Sequence, residues 1–231
     1  MPASGEPGRV KARRRPWYRD SMPSKREITE FSDEPAAGNP WVVEPMPATI
    51  DLIEYDSEWP SQAAEISERL NDVLGLRALR IDHVGSTAVE GLPAKPVIDI
   101  DVTVADPADE AGYVRSLQDA GFVLTVREPW WHEHRLFRGG HRPDDRVAPT
   151  DGGPATNIHI FGPDSPELIK HLVFRNWLRS SASDRELYAD TKRAAAAAQR
   201  EDDAVMDYNA RKQAVILEIY ERAFRASGFL S

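Results

Sequence analysis

The chain contains no cysteine. Disulfide bridges, a catalytic thiolate and a zinc site with cysteine ligands are therefore excluded, while the redox state of the compartment is left open. It also lacks any apolar run close to the about 20 residues that a membrane-spanning helix needs. Its first residues have no apolar stretch of the kind that secretory signals carry. We therefore expect a cytoplasmic protein with no membrane partner.

Positive charge is in deficit. The sequence has 29 Lys and Arg against 38 Asp and Glu, which gives a formal net charge of −9. A protein that coats nucleic acid needs the opposite balance, because phosphate backbones are bound through Lys and Arg. A long nucleic acid is therefore not the expected partner, and a small molecule or another protein is.

Two common active-site motifs are missing as well. There is no Walker-type Gly-x-x-x-x-Gly-Lys, which excludes a P-loop protein. The Gly-x-Ser-x-Gly elbow of α/β-hydrolases is absent around Ser86, because position 84 is Val. A phosphate site or a nucleophile must therefore be sought elsewhere in the chain.

Composition divides the chain into two parts. Residues 1–46 are rich in Pro, Gly, Ser and charge and have few apolar side chains to bury, which predicts a disordered charged tail. Residues 47–231 are long enough to form one domain with its own core.

Hydrophobic periodicity in residues 47–231 predicts an α/β domain of the α+β kind. The predicted strands are residues 49–55, 79–84, 97–104, 122–127, 130–138 and 156–161. The predicted helices are residues 61–74, 109–120, 166–181, 184–200 and 203–226. This order predicts a short mixed sheet flanked by helices, followed by a C-terminal helical segment.

A turn of small residues follows the strand at 79–84. Gly85 and Ser86 break that strand, and residues 87–90 can open a short helix. A helix start presents unpaired N–H groups and a partial positive charge, so it attracts anions. Gly85 leaves room for a phosphate, and Ser86 and Thr87 supply hydroxyl groups. The turn therefore predicts a phosphate site, although an ordinary strand-to-helix turn would use the same residues.

Two aspartates occupy alternate positions of the next strand. Side chains alternate on a strand, so Asp99 and Asp101 share one face, with Cα atoms about 6.5–7 Å apart. Neighbouring carboxylates on a mostly buried strand are costly unless they are paired or bind a metal. Mg²⁺ favours carboxylate oxygens together with substrate phosphates. With the turn upstream, the pair predicts a magnesium site; the alternative is an edge strand with a solvated acidic face.

These motifs resemble the signature of the GrpB (UPF0157) family, which belongs to the nucleotidyltransferase superfamily. The central match is His83-Val84-Gly85-Ser86-Thr87-Ala88-Val89, followed by Ala94-Lys95-Pro96-Val97-Ile98-Asp99-Ile100. Further matches are found at residues 55–60, 134–137, 157–160, 174–179, 188–192 and 208–212, so the resemblance extends over roughly residues 48–226. Similar domains are fused to dephospho-CoA kinase in some bacteria, where they resemble accessory modules.

The resemblance implies a nucleotidyltransferase-like fold and Mg²⁺-dependent transfer of a nucleotidyl group from an NTP to a small-molecule or protein acceptor. Asp99 and Asp101 would be the catalytic, metal-binding pair. The implied nucleotide- and phosphate-binding residues are Gly85, Ser86, Thr87, Lys95, Arg135 and Arg175. The alternative is a non-catalytic module of the same fold that serves a protein partner.

The sequence departs from the family pattern at two points, and the second of them favours that alternative. Asn157 stands where the family usually has the first His of a His-x-His strand. Superfamily enzymes usually place a third carboxylate on a neighbouring strand, and His159 resembles the residue in that place. Glu128 and Glu133 are other candidates for the third ligand.

Other polar residues allow further sites. His132, His134 and His159 have the residue types of a three-histidine zinc site. Arg175 and Arg179 are spaced i, i+4 and share a helix face. With Lys192 and Lys212, they either line a cleft over a triphosphate or form ordinary solvated charge.

Overall fold

The computed structural model describes residues 22–31, 38–44, 51–140, 153–200 and 205–231. Within these ranges the chain forms six helices and five strands. The helices are α1 (Lys25–Thr29), α2 (Trp59–Leu74), α3 (Val114–Asp119), α4 (Pro166–Ser180), α5 (Ala182–Ala197) and α6 (Val205–Ala226). The strands are β1 (Arg80–Val84), β2 (Ile98–Thr103), β3 (Val123–Glu128), β4 (His134–Gly139) and β5 (Thr156–Phe161).

The five strands form one mixed sheet in the order β1-β2-β5-β4-β3. The β2–β5 pair is parallel and the other three pairs are antiparallel. The parallel strands β2 and β5 are neighbours inside the sheet, although β3 and β4 lie between them in the sequence. Strands β3, β4 and β5 are neighbours both in the sequence and in the sheet. This arrangement confirms the predicted α+β class and mixed sheet.

Alternation along β2 gives the sheet two chemically different faces. Ile98, Ile100 and Val102 are fully buried in the main core. The amphipathic helix α2 packs on that face through side chains such as Ile66 and Leu70, which lie four residues apart on one helix face. The opposite face, which carries Asp99 and Asp101, is left for the C-terminal helices.

The three C-terminal helices pack on one another and on the segment that follows β1. Val89 and Leu92 are buried against Leu178 of α4 and Ile219 of α6. These helices begin and end within a few residues of their predicted bounds. In the ranges described above, no helix is both long enough and apolar enough to cross a membrane.

The prediction of a disordered tail over residues 1–46 is wrong for residues 22–31, and also for residues 38–44, where Trp41 forms an isolated bridge with Val126. Ser24 and Glu27 form a reciprocal capping box at the start of α1. Ile28 is 2% exposed and packs with Tyr220 and Phe224 of α6, so this segment buries apolar surface that composition alone did not reveal. Residues 1–21, 32–37 and 45–46 lie outside the described residues.

Three other predicted elements differ from the structure. The strand at 49–55 is reduced to one bridge between Ile53 and Ala94, with residues 49 and 50 outside the described ranges. The helix at 109–120 is split into a 3₁₀ turn, Glu110–Gly112, and α3, because Gly112 is a poor helix former. The strand at 130–138 begins only at His134, since the two preceding residues have φ values of 52° and 51°.

Candidate active site

A cavity of about 350 Å³ opens between the polar face of the sheet and helices α4, α5 and α6. Five of the residues predicted from the sequence to bind metal or phosphate line it, together with the two lysines that the sequence offered for a triphosphate cleft. These are Gly85, Ser86, Lys95, Asp99, His159, Lys192 and Lys212. The fold therefore brings the Gly-Ser turn and the first aspartate of Asp-x-Asp to one pocket.

Asp99 is the carboxylate that faces the cavity. Its Oδ1 accepts a hydrogen bond from the Asn157 amide at 2.7 Å and lies 4.0 Å from Nε2 of His159. Burial works to raise the pKa of Asp99, but His159, Asn157 and the charge of Lys95 outweigh it and hold the pKa below its usual range. Asp99 is therefore a carboxylate at neutral pH. Asn157, the departure from the His-x-His pattern, orients it.

Asp101 lies deeper, with only 1% of the residue exposed. Its Oδ2 accepts a hydrogen bond from Nδ1 of His171 on α4 at 2.8 Å. Burial works to lower the pKa of His171, but the charge and hydrogen bond of Asp101 raise it to about 9, so His171 is protonated at neutral pH. The other oxygen, Oδ1, is buried without a hydrogen-bond partner. A buried oxygen without a partner lowers the stability of the fold unless a cation or a hydrogen-bond donor binds it.

Gly85 brings the turn into contact with Asp99. Its φ of 70° and ψ of −166° belong to a region that only glycine adopts readily. A Cβ at this position would overlap Oδ2 of Asp99 and lie 3.0 Å from its Cβ and Cγ. The backbone of the turn can therefore approach whatever Asp99 binds.

The helix expected after this turn is a single 3₁₀ turn, Ser86–Ala88, so no extended helix dipole points at the pocket. Ser86 lines the cavity and contacts the Tyr188 hydroxyl group. Thr87 does not face the cavity, because its Oγ1 is bonded to Nε2 of His83 at 3.0 Å and to the Val97 carbonyl at 3.4 Å. Its role is to hold the turn against the sheet.

The two arginines singled out for phosphate binding lie elsewhere. Arg135 falls on the opposite face of β4 from His134, and its Nε donates to Glu110 at 2.7 Å. Arg175 donates from Nη1 to the His83 carbonyl at 2.7 Å. Arg179 donates to the Ala88 carbonyl from Nε and Nη2. Arg175 and Arg179 thus donate to backbone carbonyls, and Arg135 forms an ion pair. None of the three arginines lines the Asp99 cavity.

The histidines do not form the three-histidine zinc site. His134 and His159 are joined at 3.0 Å, and His134 is also bonded to Glu128 at 2.7 Å, so its ring nitrogens are occupied. His132 lies in the turn before β4 and is nearest to Glu167, at 3.9 Å. Glu133 contacts Arg135. Across the described part of the chain, no group of three or more His, Asp or Glu side chains is arranged to hold a metal.

The two aspartates nevertheless fit Mg²⁺. Oδ1 of Asp101 lacks a partner, and Oδ2 of Asp99 faces the Gly85 backbone, so each carboxylate offers one oxygen. Mg²⁺ is commonly held by one or two carboxylates and completed by substrate phosphates and water. The donor set therefore suits an ion that arrives with a phosphate-bearing substrate, not a closed protein cage.

Comparison with known proteins settles the family. A family model described as GrpB protein matches residues 49–222. The chain belongs to the GrpB family. A UPF0157 protein of Halalkalibacterium halodurans is 40% identical over 208 residues, covering 90% of this chain and 98% of that protein. The family and the fold class expected from the sequence are thus confirmed.

A solved GrpB protein shares the fold. The crystal structure of the conserved protein GrpB from Enterococcus faecalis matches with a TM-score of 0.63 at 26% identity, covering 77% of this chain and 99% of that one. Cid1, an RNA terminal uridylyl transferase, is a more distant match, with a TM-score of 0.41 at 12% identity over 61% of this chain and 42% of the other.

The GrpB chain is also similar to part of a larger protein. A dephospho-CoA kinase of Mycolicibacterium paratuberculosis is 36% identical over 192 residues, covering 77% of this chain but 46% of the kinase. The chain thus spans less than half the length of this relative.

One polar residue at the GrpB cavity, His171, and one polar residue on the same sheet face, Asp82, were missed in the sequence. His171 pairs with Asp101 from 70 positions away along the chain, so no local pattern announces the contact. Asp82 lies directly opposite Asp101 in the β1–β2 register and so on the same face, but its carboxylate is bound to Arg80 at 2.6 Å. Both relations depend on tertiary contacts or strand register, which spacing along the chain does not give.

Proposed function

We propose that this GrpB protein is a Mg²⁺-dependent nucleotidyltransferase. It would move a nucleotidyl group from an NTP to a small-molecule or protein acceptor and release pyrophosphate. The observation that carries the proposal is the contact between the Gly85 turn and Asp99, which lines the cavity. Asp101, two residues further along β2 on the same face, leaves one buried oxygen without a hydrogen-bond partner.

The chain's own residues would divide the work as follows. Asp99 and Asp101 would hold Mg²⁺, which when bound supplies positive charge to the phosphate oxygens and lowers the barrier to attack at phosphorus. Ser86 would donate its hydroxyl to a phosphate oxygen beside the close backbone of Gly85. Asn157 and His171 keep the two carboxylates fixed, so that positioning and electrostatics supply most of the rate.

The charge of the cavity supports a phosphate-bearing substrate over a neutral one. Lys95, Lys192 and Lys212 line it beside Asp99, so cationic groups outnumber exposed carboxylates there. The acidic balance of the whole chain favours a small-molecule or protein acceptor over a long nucleic acid.

Transfer is tested by incubating the protein and Mg²⁺ with each α-labelled NTP and with small-molecule and protein fractions of a bacterial lysate. We expect label to appear in one fraction with the wild-type protein and to fall at least about a hundredfold in Asp99→Asn, since removing one preorganised electrostatic group typically costs that much. Asp190→Asn is the matched control, because Asp190 is 79% exposed on α5 and binds only Arg193 among the described residues.

A second function is favoured by one observation. His159 lies beside Asp101 in the β2–β5 register, where superfamily enzymes usually have a third carboxylate. A GrpB domain without that acid could serve as a non-catalytic module for a protein partner, and the match to part of a dephospho-CoA kinase is consistent with such a role. Label transfer that is absent in the wild-type protein, or unchanged in Asp99→Asn, would favour the module.

A further inference from the structure

The two helices that close the cavity carry the same pair of residues at the same spacing. Tyr188 and Lys192 lie on α5, and Tyr208 and Lys212 lie on α6, each pair at i, i+4 and so on one helix face. Nζ of Lys192 is 5.2 Å from the centroid of the Tyr188 ring, and Nζ of Lys212 is 3.9 Å from that of Tyr208. All four residues line the Asp99 cavity.

Both lysines are buried without a counter-ion. Lys192 is 2% exposed and Lys212 is 7% exposed. No carboxylate among the described residues forms an ion pair with either of them. Lys170, which is 3% exposed, shows the ordinary arrangement, with its Nζ 2.7 Å from Glu167. A buried ammonium group without a carboxylate is costly unless something else completes it.

A third ammonium group joins them. Nζ of Lys95 is 5.7 Å from the centroid of the same Tyr208 ring that Lys212 covers. Burial and mutual repulsion lower the pKa of Lys212 to about 8 and that of Lys192 well below its ordinary value, and Asp99 opposes these effects only in part. The Tyr208 hydroxyl group is also buried without a hydrogen-bond partner. Lys192 and Lys212 are thus short of negative charge, and the Tyr208 hydroxyl group is short of an acceptor.

We propose that Lys95, Lys192 and Lys212 form a clamp for the phosphate chain of the substrate, and that the clamp recognises a linear di- or triphosphate without needing the nucleoside. The clamp deepens the proposed function. It rests on that function only for the assumption that the phosphate chain of the substrate binds in the Asp99 cavity. A monoanion cannot serve three separated ammonium groups, whereas a polyphosphate carries several charges along its length. Lysine binds phosphate as a point charge, so the clamp selects charge and length more than shape.

Inorganic tripolyphosphate, without nucleotide or Mg²⁺, is the probe. Its affinity is measured by isothermal titration calorimetry on the full chain. We expect wild-type binding, and a loss of about tenfold or more in both Lys192→Met and Lys212→Met, because each removes a charge-assisted contact. Removing an unpaired buried charge should leave the melting temperature equal or higher, so lost binding is separable from unfolding.

Arg193→Met is the matched control. Arg193 is the next residue on α5 and carries the same charge, but it is half-exposed, pairs with Glu54 at 2.9 Å and lines a different cavity. We expect its tripolyphosphate affinity to stay within about twofold of wild type. Wild-type affinity in both lysine variants, or an equal loss in Arg193→Met, would overturn the clamp.

The clamp also predicts a pH dependence. The charged and titratable groups that face the two lysines are Lys95, Asp99, Tyr188, Tyr208, His159 and His171. A bound anion favours the protonated lysines, so above pH about 8 binding must take up a proton at Lys212 and the affinity falls as pH rises. The fall between pH 7 and 9 should be smaller in Lys212→Met than in wild type. Equal slopes in the two proteins would contradict the clamp.

The clamp and the transfer reaction can fail separately. Tripolyphosphate binding that depends on Lys192 and Lys212, in a protein that never transfers label from an NTP, would keep the clamp and remove the transferase. Transfer of label by a protein whose lysine variants bind tripolyphosphate normally would remove the clamp and keep the transferase.

Discussion

At the scale of single residues, chemistry in the site depends on how closely backbone and carboxylate approach. The sequence predicted that Gly85 leaves room for a ligand. The structure shows that the carboxylate of Asp99 lies in the space that a Cβ at Gly85 would occupy. The sequence also predicted that Asp99 and Asp101 share a face, which the strand alternation of β2 confirms. The sequence did not predict the hydrogen-bond partners of these two carboxylates. Asn157 and His171 are brought to them by tertiary contacts between distant parts of the chain.

Gly85→Ala tests that close approach. The backbone conformation alone should cost about 1–3 kcal/mol of unfolding free energy, because alanine rarely adopts it. The added Cβ should also push Asp99 away and weaken Mg²⁺-dependent nucleotide binding. Urea unfolding and a nucleotide titration measure the two effects.

Gly91→Ala is the control for Gly85→Ala. Gly91 has a similar φ of 77°, but a Cβ there meets nothing within 4 Å. The Gly91→Ala variant should have a lower unfolding free energy than the wild-type protein but the same nucleotide affinity. Equal nucleotide affinity in Gly85→Ala and wild type would show that the contact with Asp99 does not shape the site.

At the scale of elements, long periodic helices were predicted well and short elements were not. Helices α4, α5 and α6 follow the predicted bounds because their apolar spacing is sustained over several turns. The phosphate turn lacks such a signal, and its expected helix is only Ser86–Ala88. Helix α1 was missed because one buried side chain, Ile28, and a capping box carry it.

Ile28→Ala tests whether α1 belongs to the folded domain. Ile28 is buried beside Tyr220 and Phe224, so its truncation should lower the unfolding free energy by about 2 kcal/mol, the low end for a core isoleucine. Two further contacts hold the segment: Nζ of Lys170 donates to the Glu30 carbonyl, and Nζ of Lys25 donates to the Gly228 carbonyl, both at 2.7 Å.

Met22→Ala is the comparison for Ile28→Ala, because Met22 is 71% exposed and its loss should change stability by less than about 0.5 kcal/mol. Chemical denaturation of both variants supplies the numbers. An Ile28→Ala protein as stable as Met22→Ala would mean that α1 does not pack on α6 in solution.

At the scale of the whole molecule, the sequence predicted the family and the α+β class, because several motifs occur in order along most of the chain. The set of residues that face the cavity was predicted less well. Of the cationic residues that the sequence offered for phosphate binding, Lys95, Lys192 and Lys212 line the cavity. Arg135 and Arg175 instead contact Glu110 and the His83 carbonyl. Which long cationic side chains reach a pocket depends on packing between helices and sheet, and charge spacing along the chain does not report it.

The decisive measurement is the thermal unfolding of the wild-type protein, Asp99→Asn and Asp101→Asn with each of the four NTPs, with and without Mg²⁺. A ligand that binds only the folded state raises the melting temperature by mass action. We expect at least one NTP to raise it in the wild-type protein, to do so more strongly with Mg²⁺, and to lose that Mg²⁺-dependent part in both variants. No shift with any NTP, or a Mg²⁺-dependent shift that survives in Asp99→Asn, would contradict a magnesium–nucleotide site at these aspartates.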